Sequence, residues 1–260
     1  MIMALVAYLL FGMAPLNSEI IFWGILSGVL HGVYILCLSR AYSTADISYV
    51  YPIARSAPVF VPVFAWLVLD EHLHISTFLA IGFILTAIYI LHFEGKLIRG
   101  FVNLIRAFRH QDLRWAFYTL AMVVSYSLVD KKGMDSFLSH LPNQPFANGV
   151  TFFFIEAVIG FALCNLYIFS TSPTKYIFQI WRREWHKAML AGIATLGSYG
   201  LICVVLQFEA LSAIVSLRQV SVLMVVYWGC WKLKEPFGSQ RLIAGGLILI
   251  GIFLISSNSH

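Results

Sequence analysis

The sequence predicts an all-α integral membrane protein with nine transmembrane helices arranged as an inverted repeat whose first helix is missing. Three observations predict this fold class. Of the 260 residues, 60% are hydrophobic and 11% are charged, which is too apolar for a domain with a water-facing surface. The apolar residues form runs close to the ~20 residues that cross a bilayer. Two stretches of the chain, 41–93 and 210–257, also repeat one pattern.

The apolar runs give the helices in order. The first run is short and lacks both the positively charged start and the cleavage site of a signal peptide, so we interpret it as a truncated helix. Eight longer runs follow it. The nine predicted segments are 1–16, 20–42, 47–69, 75–93, 115–131, 149–171, 187–208, 211–231 and 240–257.

The repeated pattern is a helix with one arginine, a turn marked by glutamate, and an apolar helix that contains glycine. Its first copy carries Arg55, Glu71 and Gly82, and its second carries Arg218 and Glu235, followed by a helix with a glycine pair. Duplicated membrane units are the usual build of a transporter.

The duplication also predicts the domain boundaries. Residues 1–93 form a first repeat that lacks its first helix, and 115–257 form a complete five-helix repeat. The basic segment 94–114 joins them; its apolar residues recur at helical spacing, which predicts a linker helix in the membrane interface. We expect the missing helix to lie upstream of Met1.

Small residues recur at four-residue spacing on two of the predicted helices. Such stripes let helix backbones approach closely in lipid, and we expect both to serve packing. The stripes are Gly24, Gly28 and Gly32 in the first half, and Ala188, Gly192 and Gly200 in the second, where Leu196 breaks the series.

Ionisable residues inside apolar runs are the main functional candidates, because charge is expensive in hydrocarbon. Arg55 and Arg218 each lie about 10–12 Å into their helices. The two helices enter from opposite sides, so both guanidinium groups approach the midplane, where a bidentate contact to a carboxylate or phosphate is available. Either they line a substrate cavity or they pair with structural groups; the sequence leaves both open.

Glu156 stands in the apolar run TFFFIEAVIGFAL. It is either a proton-coupling group or the counter-ion of one of the two arginines. Asp130 and Lys131, by contrast, are predicted to end their helix at the membrane boundary.

Polar and aromatic residues near the arginines, together with two tyrosines elsewhere, complete the predicted cavity. His31 and Tyr34 can also reach the cavity, as can these two tyrosines, although a lone packed polar residue explains each of them better. The candidate cavity residues are Arg55, Arg218, Tyr49, Tyr51, Pro52, Gln219, Ser221, Tyr126 and Tyr199.

Other chemistry has little support in the sequence. The run DEHLH at 70–74 does not place two histidines on one helical face, so no metal site is predicted. No phosphate-binding glycine loop, nucleophile elbow or HExxH motif occurs. We therefore expect no enzyme activity and no cofactor, and we assign the excess positive charge to membrane orientation, not to nucleic-acid binding.

The paired halves, the Leu-x-Glu motifs at Leu69-Asp70-Glu71 and Leu233-Lys234-Glu235, and the glycine-rich closing helices resemble the EamA-type branch of the drug/metabolite transporter superfamily. The resemblance implies a ten-helix inverted-repeat fold that acts as a secondary transporter of small metabolites, without an enzymatic cofactor.

Two functions remain open at this stage. One is transport of a small organic metabolite, for which the arginines favour an anionic cargo, by alternating access around a midplane cavity. The other is a non-transporting or degenerate membrane component. The expected partners are a small-molecule substrate and the lipid bilayer of a bacterial inner membrane, with a homodimer left open.

Overall fold

The computed structural model describes residues 12–44, 50, 53–54, 56–72, 75–93, 113–218, 221 and 238–256. Every regular element within these ranges is a helix, which agrees with the predicted all-α class. The helices are α1 (Ser18–Thr44), α2 (Ala57–Leu69), α3 (Ile75–Phe93), α4 (Arg114–His140), α5 (Pro145–Thr171), α6 (Thr174–Val205), α7 (Leu211–Leu217) and α8 (Gly238–Ser256). The count of nine spans and the inverted repeat stay predictions, because much of 1–16, 47–56 and 218–237 lies outside the described residues.

Three of the described helices are long and apolar enough to cross a membrane, namely α1, α5 and α6. At 1.5 Å per residue, the first two are about 40 Å long and α6 is about 48 Å long. Each length exceeds the ~30 Å hydrocarbon thickness of a bilayer. α2 and residues 75–87 of α3 are shorter apolar helices.

Large hydrophobic side chains cover the outside of these helices. Leu166 is 74% exposed, Phe253 is 72% exposed and Leu190 is 69% exposed. Exposure of so many large apolar groups is unfavourable in water and neutral in hydrocarbon. The outer surface is therefore a lipid-facing one.

The fourth helix corrects a sequence prediction. α4 continues to His140, whereas the sequence analysis ended it at 131, with Asp130 and Lys131 at the membrane boundary. The helix continues because its buried apolar side persists beyond the charges: Met134 and Phe137 are both fully buried. Asp130 is consequently an interior residue of the helix.

The sixth helix begins earlier than predicted. α6 starts at Thr174, directly after the extended Pro173, and not at 187. Its first three turns are rich in Lys, Arg, Glu and Gln, which are good helix formers. Within this stretch Glu184 forms ion pairs with Arg183 and Lys187 at 2.8 and 2.7 Å, so charge here marks a polar helix end.

The chain divides into two compact units. The first contains Met1–Leu36 and Ser125–Phe208, and the second contains Cys37–Val124 and Glu209–His260. The two predicted repeats, 1–93 and 115–257, follow the chain, whereas each compact unit draws on both parts of it. The repeat boundaries stay a prediction.

In the second unit, α2 packs against α7 and α3 packs against α8. A Cβ atom at Gly251 of α8 would lie 2.7 Å from the Ile84 side chain and 3.0 Å from the Ala80 carbonyl oxygen of α3. These pairs join elements that hold matching positions in the two predicted repeats.

In the first unit, the glycine stripe of α1 packs directly on α5. Added Cβ atoms would lie 2.8 Å from Ile155 at Gly24, 2.6 Å from Ile159 at Gly28 and 3.0 Å from Leu163 at Gly32. No larger side chain fits at these distances. The predicted packing role of this stripe is therefore confirmed.

The same contacts give the direction of the two helices. Each step of four residues along α1 meets a step of four residues along α5, in the same sense, so α1 and α5 run parallel. Parallel transmembrane helices are separated by an odd number of crossings. The three spans predicted between them, 47–69, 75–93 and 115–131, give this parity.

The second small-residue stripe behaves differently in the described part of the chain. Cβ atoms added at Gly192 and Gly200 would meet nothing within 4 Å there, and Ala188 is exposed. Leu196 also interrupts the four-residue spacing of this stripe. The packing role of the stripe on α6 stays a prediction.

Candidate functional site

Three ionisable side chains meet inside the first unit. His31 of α1, Asp130 of α4 and Glu156 of α5 place their potential ligand atoms within 4.8 Å of one another. Asp130 is fully buried and Glu156 is 4% exposed. His31 and Glu156 each lie near the midpoint of a membrane-length helix, about 20 and 17 Å from its first residue. We call these three residues the acidic-imidazole cluster.

The close packing of α1 on α5 creates the first contact of the cluster. A Cβ atom at Gly28 would lie 2.8 Å from the carbonyl oxygen of Glu156, so only glycine lets the two backbones come this close. One turn along α1 from Gly28, Nδ1 of His31 lies 3.2 Å from Oε1 of Glu156. The sequence analysis left Glu156 as either a proton-coupling group or the counter-ion of Arg55 or Arg218, and both alternatives stay predictions. Among the described ion pairs, the partner of Glu156 is His31.

Asp130 is held from two other helices. The hydroxyl of Ser27 donates to Oδ1 at 2.5 Å, and the hydroxyl of Tyr199 donates to Oδ2, also at 2.5 Å. Both distances fall in the range for a hydroxyl donating to an ionised carboxylate. Each oxygen of the Asp130 carboxylate therefore has a hydroxyl donor.

Tyrosine rings surround the imidazole. The ring of Tyr126 stacks on His31 with 3.8 Å between centroids and 29° between planes. The rings of Tyr199 and Tyr34 meet the imidazole edge-on at 5.2 and 6.5 Å. The imidazole is thus packed between aromatic groups, with carboxylates on its remaining sides.

The structure brings together three of the sequence-predicted candidates, Tyr126, Tyr199 and Glu156. Arg218 and Ser221 belong to the second unit. Arg218 is half-buried and directly follows α7, and the exposed Ser221 donates its hydroxyl to the Arg218 carbonyl oxygen at 3.0 Å. The remaining candidates lie outside the described residues: Tyr49, Tyr51, Pro52, Arg55 and Gln219.

The glutamate of the first Leu-x-Glu motif caps the helix that leads to Arg218. Oε1 of Glu71 accepts from the backbone N–H of Leu211 at 2.6 Å, and Oε2 accepts from the Ser212 hydroxyl at 2.7 Å and its N–H at 3.3 Å. A carboxylate at this end neutralises the positive end of the helix dipole. Glu71 therefore fixes the start of α7, and Arg218 directly follows the end of that helix.

Sequence analysis missed Asp130 and Ser27 and gave His31 little weight. The available signal was spacing: Ser27 and His31 are four residues apart on α1, and Tyr126 and Asp130 are four apart on α4. Residues at this spacing share a helical face. A polar pair repeated on two apolar helices predicts a shared polar interior.

Two carboxylates and an imidazole at this separation can bind a proton, and they are also the donor set of a divalent-metal site. In the described structure His31 Nδ1 approaches Glu156 directly, and both oxygens of Asp130 accept hydroxyl hydrogens. These contacts form a hydrogen-bonded network among the buried side chains.

Three helices long and apolar enough to cross a membrane, with large apolar side chains exposed on them, define an integral membrane protein. Residues 1–93 match the model of the EamA-like transporter family, part of the drug/metabolite transporter superfamily. The resemblance drawn from the sequence is thereby confirmed over that part of the chain. The members of this family are transporters and not enzymes. No curated protein matches the chain.

Proposed function

We propose that this protein is a secondary transporter of a bacterial inner membrane that moves a small organic metabolite by alternating access. The observation that carries the proposal is the acidic-imidazole cluster, which is buried halfway along α1 and α5. Charge at this depth is costly and is kept mainly where it binds or relays an ion or a substrate. Transporters built from inverted repeats place their sites at this depth.

We assign recognition of the cargo to Arg55 and Arg218, together with the polar and aromatic residues that flank them in the sequence. A guanidinium group makes two parallel hydrogen bonds with a carboxylate or phosphate, so the arginines favour an anionic cargo. Arg218 is half-buried, and its helix is capped by Glu71. A fixed starting point for α7 supports a precise position for the guanidinium group.

The experiment is uptake into proteoliposomes of a panel of carboxylated and phosphorylated metabolites, each paired with a neutral analogue. We expect Arg218→Gln and Arg55→Gln to lower uptake of the anionic members at least about tenfold, because a hydrogen bond to a charged group contributes about 1.5–3 kcal/mol. Arg183→Gln is the matched control, since Arg183 is exposed and paired with Glu184 at the polar start of α6. It should transport like the parent chain.

Each outcome has a clear meaning. Equal uptake by the parent chain and both arginine variants, with all three folded, would contradict the assignment to the arginines. If no panel member or analogue moves in folded protein, the non-transporting membrane component becomes the better description.

A further inference from the structure

We infer that one face of α6, along the first turns of the helix, is a docking surface for anionic phospholipid headgroups of the surrounding membrane. We call it the basic-aromatic face and define it as Lys175, Phe178, Arg182 and Trp185. The inference goes beyond the proposed function and does not depend on whether the chain transports a metabolite.

The charged start of α6 extends past the part of the helix that crosses the bilayer core. Residues 188–205 contain no Asp, Glu, Lys or Arg, and their length of about 27 Å is close to the ~30 Å hydrocarbon thickness. Residues 174–187 continue the same helix for about a further 21 Å. The headgroup layer adds only about 5–8 Å on each side of the core, so the start of α6 passes through this layer.

Basic and aromatic side chains alternate along one face of these turns. The residues of the basic-aromatic face follow one another at steps of three, four and three residues, and residues at such steps are neighbours on a helix surface. Phe178 is 64% exposed and Trp185 is 49% exposed, and Lys175 and Arg182 are exposed as well. Large aromatic rings are unfavourable in water, whereas the boundary between headgroups and acyl chains accommodates both rings and cations.

The cations of this face are not used by the ion pairs of the helix. Glu184 pairs with Arg183 and Lys187, which occupy a different side of α6 from Arg182. Within the described part of the chain, neither Lys175 nor Arg182 forms an ion pair. Both are therefore available to an anion outside the protein.

The excess of positive charge in these turns favours a lipid with net negative charge. Between Thr174 and Lys187, four lysine and arginine residues stand against one glutamate, and clusters of this size beside a membrane helix attract anionic lipids. The guanidinium group of Arg182 can also bind a headgroup phosphate through two parallel hydrogen bonds. A zwitterionic headgroup offers the same phosphate without net charge, so the face should prefer the anionic lipid.

Tilting of α6 brings the whole face to the headgroups. If the helix stood upright, Phe178 would lie about 15 Å beyond residue 188 and outside the headgroup layer. Membrane helices tilt by up to about 40°, and interfacial aromatic and basic residues set the direction of the tilt. The four residues of the basic-aromatic face lie on one side of α6, so the tilt turns this side toward the bilayer.

The first test identifies the lipid at the face. Gln179 lies four residues after Lys175 and three before Arg182, so Gln179→p-benzoylphenylalanine places a photo-crosslinker beside the face without removing one of its residues. The full chain is reconstituted in nanodiscs of phosphatidylcholine with a minor share of phosphatidylglycerol, and the lipid adducts are identified by mass. We expect phosphatidylglycerol to be enriched in the adducts about fivefold over its share of the bilayer.

Two neighbouring arginines provide the comparison. Arg182→Gln in the crosslinking chain should remove most of the enrichment, because it deletes the guanidinium group of the face. Arg183→Gln is the matched control, since it makes the same exchange at a guanidinium group that is paired with Glu184, and it should keep the enrichment. Both arginines are exposed, and size-exclusion chromatography checks that both variants are folded.

Three results would overturn the docking surface. The first is a set of adducts without lipid, or with the lipid composition of the bilayer. The second is an equal loss of enrichment in Arg183→Gln and Arg182→Gln. The third is loss of the enrichment when soluble glycerol phosphate is added, which would make a free phosphate the ligand in place of a membrane lipid.

A second measurement tests the tilt. Trp181 is 63% exposed and lies about 10 Å beyond residue 188 along the helix. The emission that is lost in Trp181→Phe isolates its fluorescence from that of the other tryptophans. We expect a nitroxide on the lipid headgroup to quench this emission more strongly than aqueous acrylamide does. The reverse order would mean that the start of α6 stands in water, and it would contradict docking of the face on the headgroups.

Discussion

The two small-residue stripes of this chain share a spacing of four residues, which Leu196 interrupts on α6, and they differ in their described surroundings. On α1, Gly24, Gly28 and Gly32 lie against α5 so closely that no side chain fits. On α6, Gly192 and Gly200 meet nothing within 4 Å in the part of the chain that the structure describes. Within the described residues, the comparison teaches that small-residue spacing alone does not establish a close helix contact. On α1 the stripe brings Glu156 to His31, and it is thereby part of the candidate site.

The largest effect expected from this comparison is that of Gly28→Val. The added side chain would overlap Ile159 and the Glu156 carbonyl oxygen, forcing α1 and α5 apart. We expect a loss of about 1–3 kcal/mol in the free energy of unfolding, or loss of folded protein altogether. Thermal unfolding in detergent, followed by size-exclusion chromatography, measures it.

Gly192→Val is the matched control, with the same chemical change on the open stripe. It should stay within about 0.5 kcal/mol of the parent chain. Equal destabilisation by the two substitutions would contradict this difference and show that another part of the chain also packs on the α6 stripe.

An intermediate loss of stability is expected when Asp130 loses one of its two hydrogen-bond donors, Ser27 on α1 or Tyr199 on α6. Ser27→Ala removes a fully buried donor, and we expect a loss of about 1.5–3 kcal/mol, because the carboxylate loses a hydrogen bond to a charged group. Tyr199→Phe removes the other donor. Tyr199 is only half-buried, so water can replace its hydroxyl and the loss should be smaller, within about 1.5 kcal/mol.

Chemical denaturation of the two variants side by side gives the order. A larger loss in Tyr199→Phe than in Ser27→Ala would mean that α6, and not α1, is the main support of Asp130.

The smallest effect is expected at the polar start of α6. Glu184 pairs with Arg183 and Lys187, but exposed ion pairs contribute little and are screened by salt. We expect Glu184→Gln to unfold at the same temperature as the parent chain in both low and high salt. A clear drop at low salt alone would show that this pair network anchors the helix.

The local hydropathy pattern was sufficient to predict several of the helices. The runs 20–42 and 75–93 correspond to α1 and α3 within two residues at each end, because a span of apolar residues is a property of one segment. The stripe on α1 was predicted for the same reason. The hydropathy pattern failed where charged residues lie within a helix. It ended α4 too early, near Asp130, and it started α6 too late, after its charged first turns.

The candidate site was only partly predictable. Glu156 was recognised because an ionisable residue in an apolar run is conspicuous by itself. Its pairing with His31 depends on how α1 packs on α5, and this contact cannot be predicted from the sequence of either segment alone. The capping role of Glu71 was missed similarly: the Leu-x-Glu motif is visible locally, whereas the helix that it caps begins at Leu211.

The parallel course of α1 and α5 has a consequence for the order of assembly during synthesis. Parallel neighbours cannot insert together as a hairpin, so α1 enters the membrane long before α5 has been made. At about 5–20 residues per second, the ribosome needs roughly 5–25 s after α1 to synthesise α5. During that interval the glycine face of α1 and the imidazole of His31 do not yet have α5 packed against them. The early chain therefore depends on the translocon, on lipid or on a chaperone to shield a surface that the mature protein hides.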